Sequence, residues 1–166
     1  MKSILLSFFL FFASALQSQD MTNARMGAII QKEATQIKGT TGAWQFMYGG
    51  HLLLVITDSL ANRMRIFSPV IETKDLRPGQ TERMLIANFD SALDAKYGIY
   101  EGLVVSIFTH PLKQLTEAQF VDAMRQVATL ASTFGTTYQS TDLIFNGGQQ
   151  KEEPKINESP KREKKN

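Results

Sequence analysis

Apolar and polar positions alternate along this chain with two periods, and the change from one to the other divides it into elements. The most fully specified element is LTEAQFVDAMRQVATLASTFG, from Leu115 to Gly135. Phe120, Ala123, Met124, Val127, Leu130, Ala131 and Phe134 recur at helical spacing and leave Asp122, Arg125, Gln126 and Thr129 on the other side. Thr116 followed by Gln119 is a capping box, Leu115 and Phe120 can close a hydrophobic staple, and Gly135 supplies a left-handed stop. The apolar stripe of such a helix has to be buried against something. The strand-like run Leu103–Thr109 just upstream makes a sheet the natural partner.

The same reading extends to the rest of the chain. Thr22 or Asn23 caps a first helix, Ala24–Lys38, with a stripe of Met26, Ile29, Ile30, Ala34 and Ile37 and a stop at Gly39. After Gly39-Thr40-Thr41-Gly42 the period changes to two, with Trp44, Phe46 and Tyr48 alternating with Gln45 and Met47. Gly49-Gly50 is a hairpin signal, and His51–Thr57 is apolar on both faces, which predicts a central strand. A third strand covers about Asn62–Ser68, where Met64 and Ile66 alternate with Arg63 and Arg65. Pro69 ends it or puts it at an edge. A polar loop, Glu72–Gln80, leads to a second helix over about Thr81–Asp94 that buries Met84, Leu85, Asn88 or Phe89, Ala92 and Leu93. Tyr97–Tyr100 and Leu103–Thr109 form a hairpin around Glu101-Gly102, and His110-Pro111 ends its second strand. Leu143-Ile144-Phe145 is a last apolar triplet that can add a short strand or dock on the core.

The expected fold class is therefore α+β: an antiparallel sheet of about five strands with helices on one face, in the order α-β-β-β-α-β-β-α. The two ends fall outside it. Lys2, the 13-residue apolar-to-small run Ile4–Leu16 and polar Gln17–Asp20 have the order of a secretory signal peptide. The run is shorter than the roughly 20 residues a helical span needs. Cleavage after Ala15 or near Gln19 would release a mature chain with no membrane span, exported to the periplasm or beyond. The expected division is residues 1–19 as leader, 20–146 as one domain and 147–166 as a disordered charged tail carrying Pro154 and Pro160.

Charge narrows the function classes. The net charge of +2 comes from the ends: six of the eighteen Lys and Arg lie beyond residue 150 and one is Lys2, which leaves eleven basic against twelve acidic residues in the body. A nearly neutral body is a poor electrostatic surface for nucleic acid. The chain has no cysteine, which removes disulfides, thiolate metal sites and a cysteine nucleophile. With two histidines, His51 and His110, at unrelated positions, no zinc site of the usual kinds is expected, and no other cofactor motif is present. Ser106 and His110 lie four residues apart on one strand, about 13 Å, too far for a nucleophile and its base. Asp90, Asp94 and Glu101 could form an acid/base set, but a solvated helix face accounts for them better. Trp44, Phe46 and Tyr48 read as one half of a sheet core. Arg63 and Arg65 point the same way from an edge-like strand, where they protect the edge or clamp a partner's carboxylate or phosphate.

The order of elements resembles the fold of class I type III secretion chaperones and of the related YbjN-like bacterial proteins. Asn62–Glu72 (NRMRIFSPVIE), Phe89–Leu93 with Tyr97-Gly98, and His110–Phe120 (HPLKQLTEAQF) carry most of the likeness. The resemblance implies a non-enzymatic protein that dimerises and holds an extended segment of a partner protein by an exposed edge or groove. Secretion chaperones are cytosolic, whereas this chain carries a leader. The expected function is an exported, non-catalytic protein-binding domain, with Arg63 and Arg65 the candidate partner-binding residues. The alternative is a carrier for an apolar small ligand held between helices and sheet, motivated by seven Met and eleven Phe.

Overall fold

The computed structural model describes residues 20–142. The leader, the Leu143-Ile144-Phe145 triplet and the charged tail lie outside the described residues. Three helices, α1 (Asn23–Glu33), α2 (Gln80–Asp90) and α3 (Glu117–Ser132), pack on one face of a six-stranded antiparallel sheet. Its strands are β1 (Thr35–Thr40), β2 (Ala43–Tyr48), β3 (His51–Asp58), β4 (Arg63–Glu72), β5 (Lys96–Tyr100) and β6 (Leu103–His110), in the spatial order β1-β2-β3-β4-β6-β5.

Local chemistry explains most of these boundaries. Thr116 and Gln119 form the complete capping box, with the Gln119 amide N–H donating to Thr116 Oγ1 at 3.2 Å and the Thr116 N–H donating to Gln119 Oε1 at 2.9 Å. Leu115 and Phe120 are both buried, as a staple requires. Thr22 caps α1 by accepting the Arg25 N–H. Gly27 of α1 lies over the Trp44 ring, where a Cβ would stand at an ordinary contact distance of 3.6 Å.

In three places the chain departs from the sequence expectation. The first helix stops at Glu33 instead of Lys38, and Thr35–Thr40 forms a sixth strand. The β-branched Thr35, Ile37 and Thr40 favour extended backbone, and Ile37 packs on the core from a strand, not from a fourth helical turn. The strand bearing Arg63 and Arg65 is no edge: β4 runs through Pro69 to Glu72 and pairs with β3 on one side and β6 on the other. A register shift between Pro69 and Ile71 interrupts the ladder where proline has no N–H to give. The second helix ends at Asp90, and its buried set is Gln80, Met84 and Ala87, while Leu85 and Phe89 point outward.

The core lies between sheet and helices. Phe46, Leu53, Val55 and Ile66 from the sheet meet Ile30, Phe120, Met124 and Leu130 from the helices, all inaccessible to solvent. In β4 and β6 the helix-facing positions are Met64, Ile66, Ser68 and Val104, Ser106, Phe108. Ser68 and Ser106 face one another in register, and neither buried hydroxyl has a hydrogen-bond partner in the structure. Tyr97 beside them is satisfied through its hydroxyl, which donates to the Leu130 carbonyl at 2.7 Å, and burial pushes its phenol well above the ordinary value.

Candidate protein-binding face

Strand alternation gives every helix-facing residue a neighbour on the opposite face, and no described helix covers that face. It is apolar at its centre. Leu54 of β3 stands opposite Phe67 of β4, which stands opposite Ile107 of β6; Ile56 extends the same surface, and Phe67 and Val105 are themselves largely buried within it. Leu52 and Ile56 are 41% and 46% exposed, and Tyr100 on β5 is 53% exposed. Contiguous apolar surface of this kind marks an interaction site more often than chance exposure does.

The surface is dented at Gly98. A hollow of about 190 Å³ is lined by Ile56, Arg65, Phe67, Tyr100, Val105 and Ile107 around that glycine, with Ile99 at its rim. Tyr100 meets Phe67 edge to face, with ring centroids 6.1 Å apart, and forms one wall. Gly98 is required by neither conformation nor space. Its φ lies outside the left-handed region, and a Cβ would make ordinary contacts of 3.7 Å with Ile107 and Val105. A glycine inside a strand costs roughly 0.5–1 kcal/mol, so its effect at this position is to keep the hollow open.

The sheet edges are less receptive than the face. On β5 the Tyr97 N–H donates to Asn88 Oδ1 at 2.7 Å, and Asn88 Nδ2 donates to the Tyr97 carbonyl at 3.1 Å. The amide of α2 thus stands where an added strand would pair. On the other side β1 carries a register shift between Thr35 and Lys38, with Gln36 at φ 53. Bulges and a lysine are usual ways of blunting an edge.

Arg65 stands opposite Ile56 on one neighbour and Thr109 on the other, and it lines the hollow. Arg63 lies two residues away on the same face, opposite Asp58, and donates to the Asn62 carbonyl at 3.0 Å. Neither arginine is in an ion pair among the described residues; those pairs join Lys32 with Glu33 and Glu117, Lys74 with Glu72, and Arg125 with Asp122. The Tyr100 phenol is held above its ordinary value by its hydrogen bond to Glu101 and by that carboxylate's charge. Arg65 pulls the other way, which puts the guanidinium within electrostatic reach of Tyr100.

Of the other candidate residues, Asp94 and His110 line one cleft of about 490 Å³ together with Asp122 and Gln126, while Glu101 lies apart from it. Asp94 is tied to α3: buried Gln126 accepts the N–H groups of Asp94 and Ala95 at 3.2 Å each and donates to Asp122 at 2.7 Å. Burial pushes the Asp122 carboxyl up, but hydrogen bonds from Gln126 and Arg125 outweigh it and hold it below the usual range. Glu101 sits in the turn at the far end of β5, roughly 15–20 Å along the strand from Asp94. His110 stacks on Phe108 and bonds the Pro111 carbonyl through Nδ1 at 2.8 Å, and His51 opens β3. Trp44, Phe46 and Tyr48 belong to the helix-facing core. Among the described residues no three His, Cys, Asp or Glu stand where they could share a metal ion, and no helix is long and apolar enough to cross a membrane.

The site residues that sequence reasoning did not single out are Ile56, Phe67, Gly98, Tyr100, Val105 and Ile107. Part of the signal was present in β3, whose apolar character on both faces read only as a central strand.

This is an α+β fold in which helices cover one face of an antiparallel sheet and, among the described residues, no helix covers the other, apolar face. Neither protein-family models nor curated proteins give a match to the chain. Among solved structures it is similar to a chain in the structure of the HopA1-SchA chaperone-effector complex, with a TM-score of 0.51 and 14% identity over 68% of this chain and 94% of that one. The likeness is one of fold, and it supports the chaperone-like reading of the element order.

Proposed function

We propose that this chain is an exported, non-catalytic protein-binding domain of the cell envelope that holds a segment of a partner protein against its bare sheet face. The observation that carries the reading is the apolar, dented face at Ile56, Phe67 and Ile107 on a fold similar to one found in a chaperone-effector complex. Both edges are blunted, so the face is favoured over strand addition. The likeness to YbjN-like proteins rests on element order, and export rests on the leader-like residues 1–19. The hollow itself is smaller than the roughly 300–1,000 Å³ usual for small-ligand pockets, so at this face it suits side chains of a polypeptide; the larger clefts, of about 610 and 490 Å³, are lined by polar residues such as Asp94, Asp122 and Gln126.

A homodimer is the second part of the reading. Leu85, Ile86 and Phe89 form an apolar ridge on α2 that is 66%, 53% and 80% exposed, separate from the residues lining the hollow, and a second copy would cover it.

Native mass spectrometry on the protein purified from its own host's envelope fraction tests these points together. The expected spectrum has two copies of a chain lacking its leader and a second polypeptide at fixed stoichiometry. A bare, uncut monomer in the cytosolic fraction would contradict all three.

A further inference from the structure

The hollow at Gly98 allows the partner to be described more closely, on the basis of the protein-binding reading above. Three observations bear on what fills it. Its volume of about 190 Å³ suits one or two side chains. Its floor and walls, Val105, Ile107, Phe67 and Ile56, are apolar. Its one charged lining residue is Arg65, which makes no ion pair among the described residues and has Arg63 beside it on the same face. The cation nearest on β5, Lys96, is engaged instead: its Nζ donates to the carbonyls of Asn88 and Leu93.

In an extended segment alternate side chains leave the same face about 6.5–7 Å apart. A segment lying on the sheet can therefore put an apolar side chain into the hollow while a neighbour on the same side reaches the guanidinium. We propose that Gly98 and Arg65 form a socket for an acidic, apolar segment of a partner protein: one apolar side chain seats over Gly98, and an Asp or Glu of the same segment pairs with Arg65. A guanidinium binds a carboxylate through two parallel hydrogen bonds, so Arg65 sets the specificity and the hollow sets the register. A basic side chain at the hollow would meet the Arg65 guanidinium, with Arg63 two residues along the same face, and would be disfavoured.

The test uses a display library of random nine-residue peptides selected against the full-length chain, with the affinity of the selected peptides then measured by fluorescence anisotropy. The expected binders combine apolar residues with Asp or Glu, and both Gly98→Val and Arg65→Met weaken them at least tenfold. Gly98→Val should fold with an unchanged or higher thermal midpoint, because its Cβ meets only ordinary contacts. Weakened binding by a folded Gly98→Val chain therefore reads the socket and not stability. Binders that ignore both substitutions would overturn the socket and leave the protein-binding reading standing, whereas a library that yields no binder would remove both. If Gly98→Val lowers the subunit count, the occupant is a second copy. If removal of residues 143–166 tightens peptide binding tenfold, the occupant is the chain's own C-terminal segment. Either result overturns the assignment to a partner protein.

Discussion

Phe120→Ala is expected to lower the stability of the domain by about 3–5 kcal/mol. Phe120 sits at the fourth residue of α3, fully buried, with Leu115 from the staple and Met124 one turn on also inaccessible. Truncation removes the apolar surface that the helix brings to the sheet and leaves a cavity where capped α3 cannot shift to fill it. Against a total of roughly 5–15 kcal/mol for a domain, the loss is a large share, equivalent to a fall of roughly 10–20 °C in thermal midpoint. Urea unfolding with an unchanged slope measures it directly. Phe89→Ala on α2 is the control: that ring is 80% exposed, and its removal from the monomer should change stability by about 0.5 kcal/mol or less. Equal effects of the two substitutions would mean that the helix-facing core is misplaced.

Arg65→Pro is expected to cost roughly 2–4 kcal/mol, from a lost ladder bond, an orphaned partner group and the fixed proline ring. The size follows from position. Arg65 is hydrogen-bonded into a sheet between Ile56 and Thr109, so its backbone has strands on both sides. An edge residue would lose much less. Pro69 is tolerated four residues later on the same strand because the register shifts between Pro69 and Ile71. Arg65→Ala leaves the ladder intact and should stay within about 0.5 kcal/mol. Circular dichroism and thermal melting of the two variants separate backbone from side chain. A well-folded Arg65→Pro would contradict the interior placement of β4.

Much of the fold was legible because local chemistry agreed with the tertiary outcome. The capping box at Thr116 and Gln119, the Gly49-Gly50 turn and the Glu101-Gly102 turn each define an element end by side-chain or backbone requirements that packing does not override. The misreadings have a common origin in periodicity. Ala34 and Ile37 extend the helical stripe of α1, yet Ile37 reaches the core equally well from a strand, and pairing with β2 decides the matter. Leu85 and Phe89 fit the helical repeat of α2 but stand outside the arc that the sheet covers. Pro69 signalled an edge because a bulge cannot be seen in the residues around it. The bare face illustrates the deeper limit: Leu52, Leu54 and Ile56 are apolar, and polarity alone does not say whether another element lies on them. Arg63 and Arg65 were singled out for an edge that does not exist; the structure puts both on the uncovered face, with Arg65 at the hollow.

The central claim is that a partner polypeptide is held on that face. Hydroxyl-radical footprinting of the complex isolated from the host, compared with the free chain, reads it residue by residue. The account predicts that Leu52, Ile56 and Tyr100, all exposed here, lose reactivity when the partner is bound, while the exposed Leu60 in the β3–β4 turn does not change. Unchanged reactivity at Ile56 and Tyr100, with protection along β1 or over α3 instead, would contradict it.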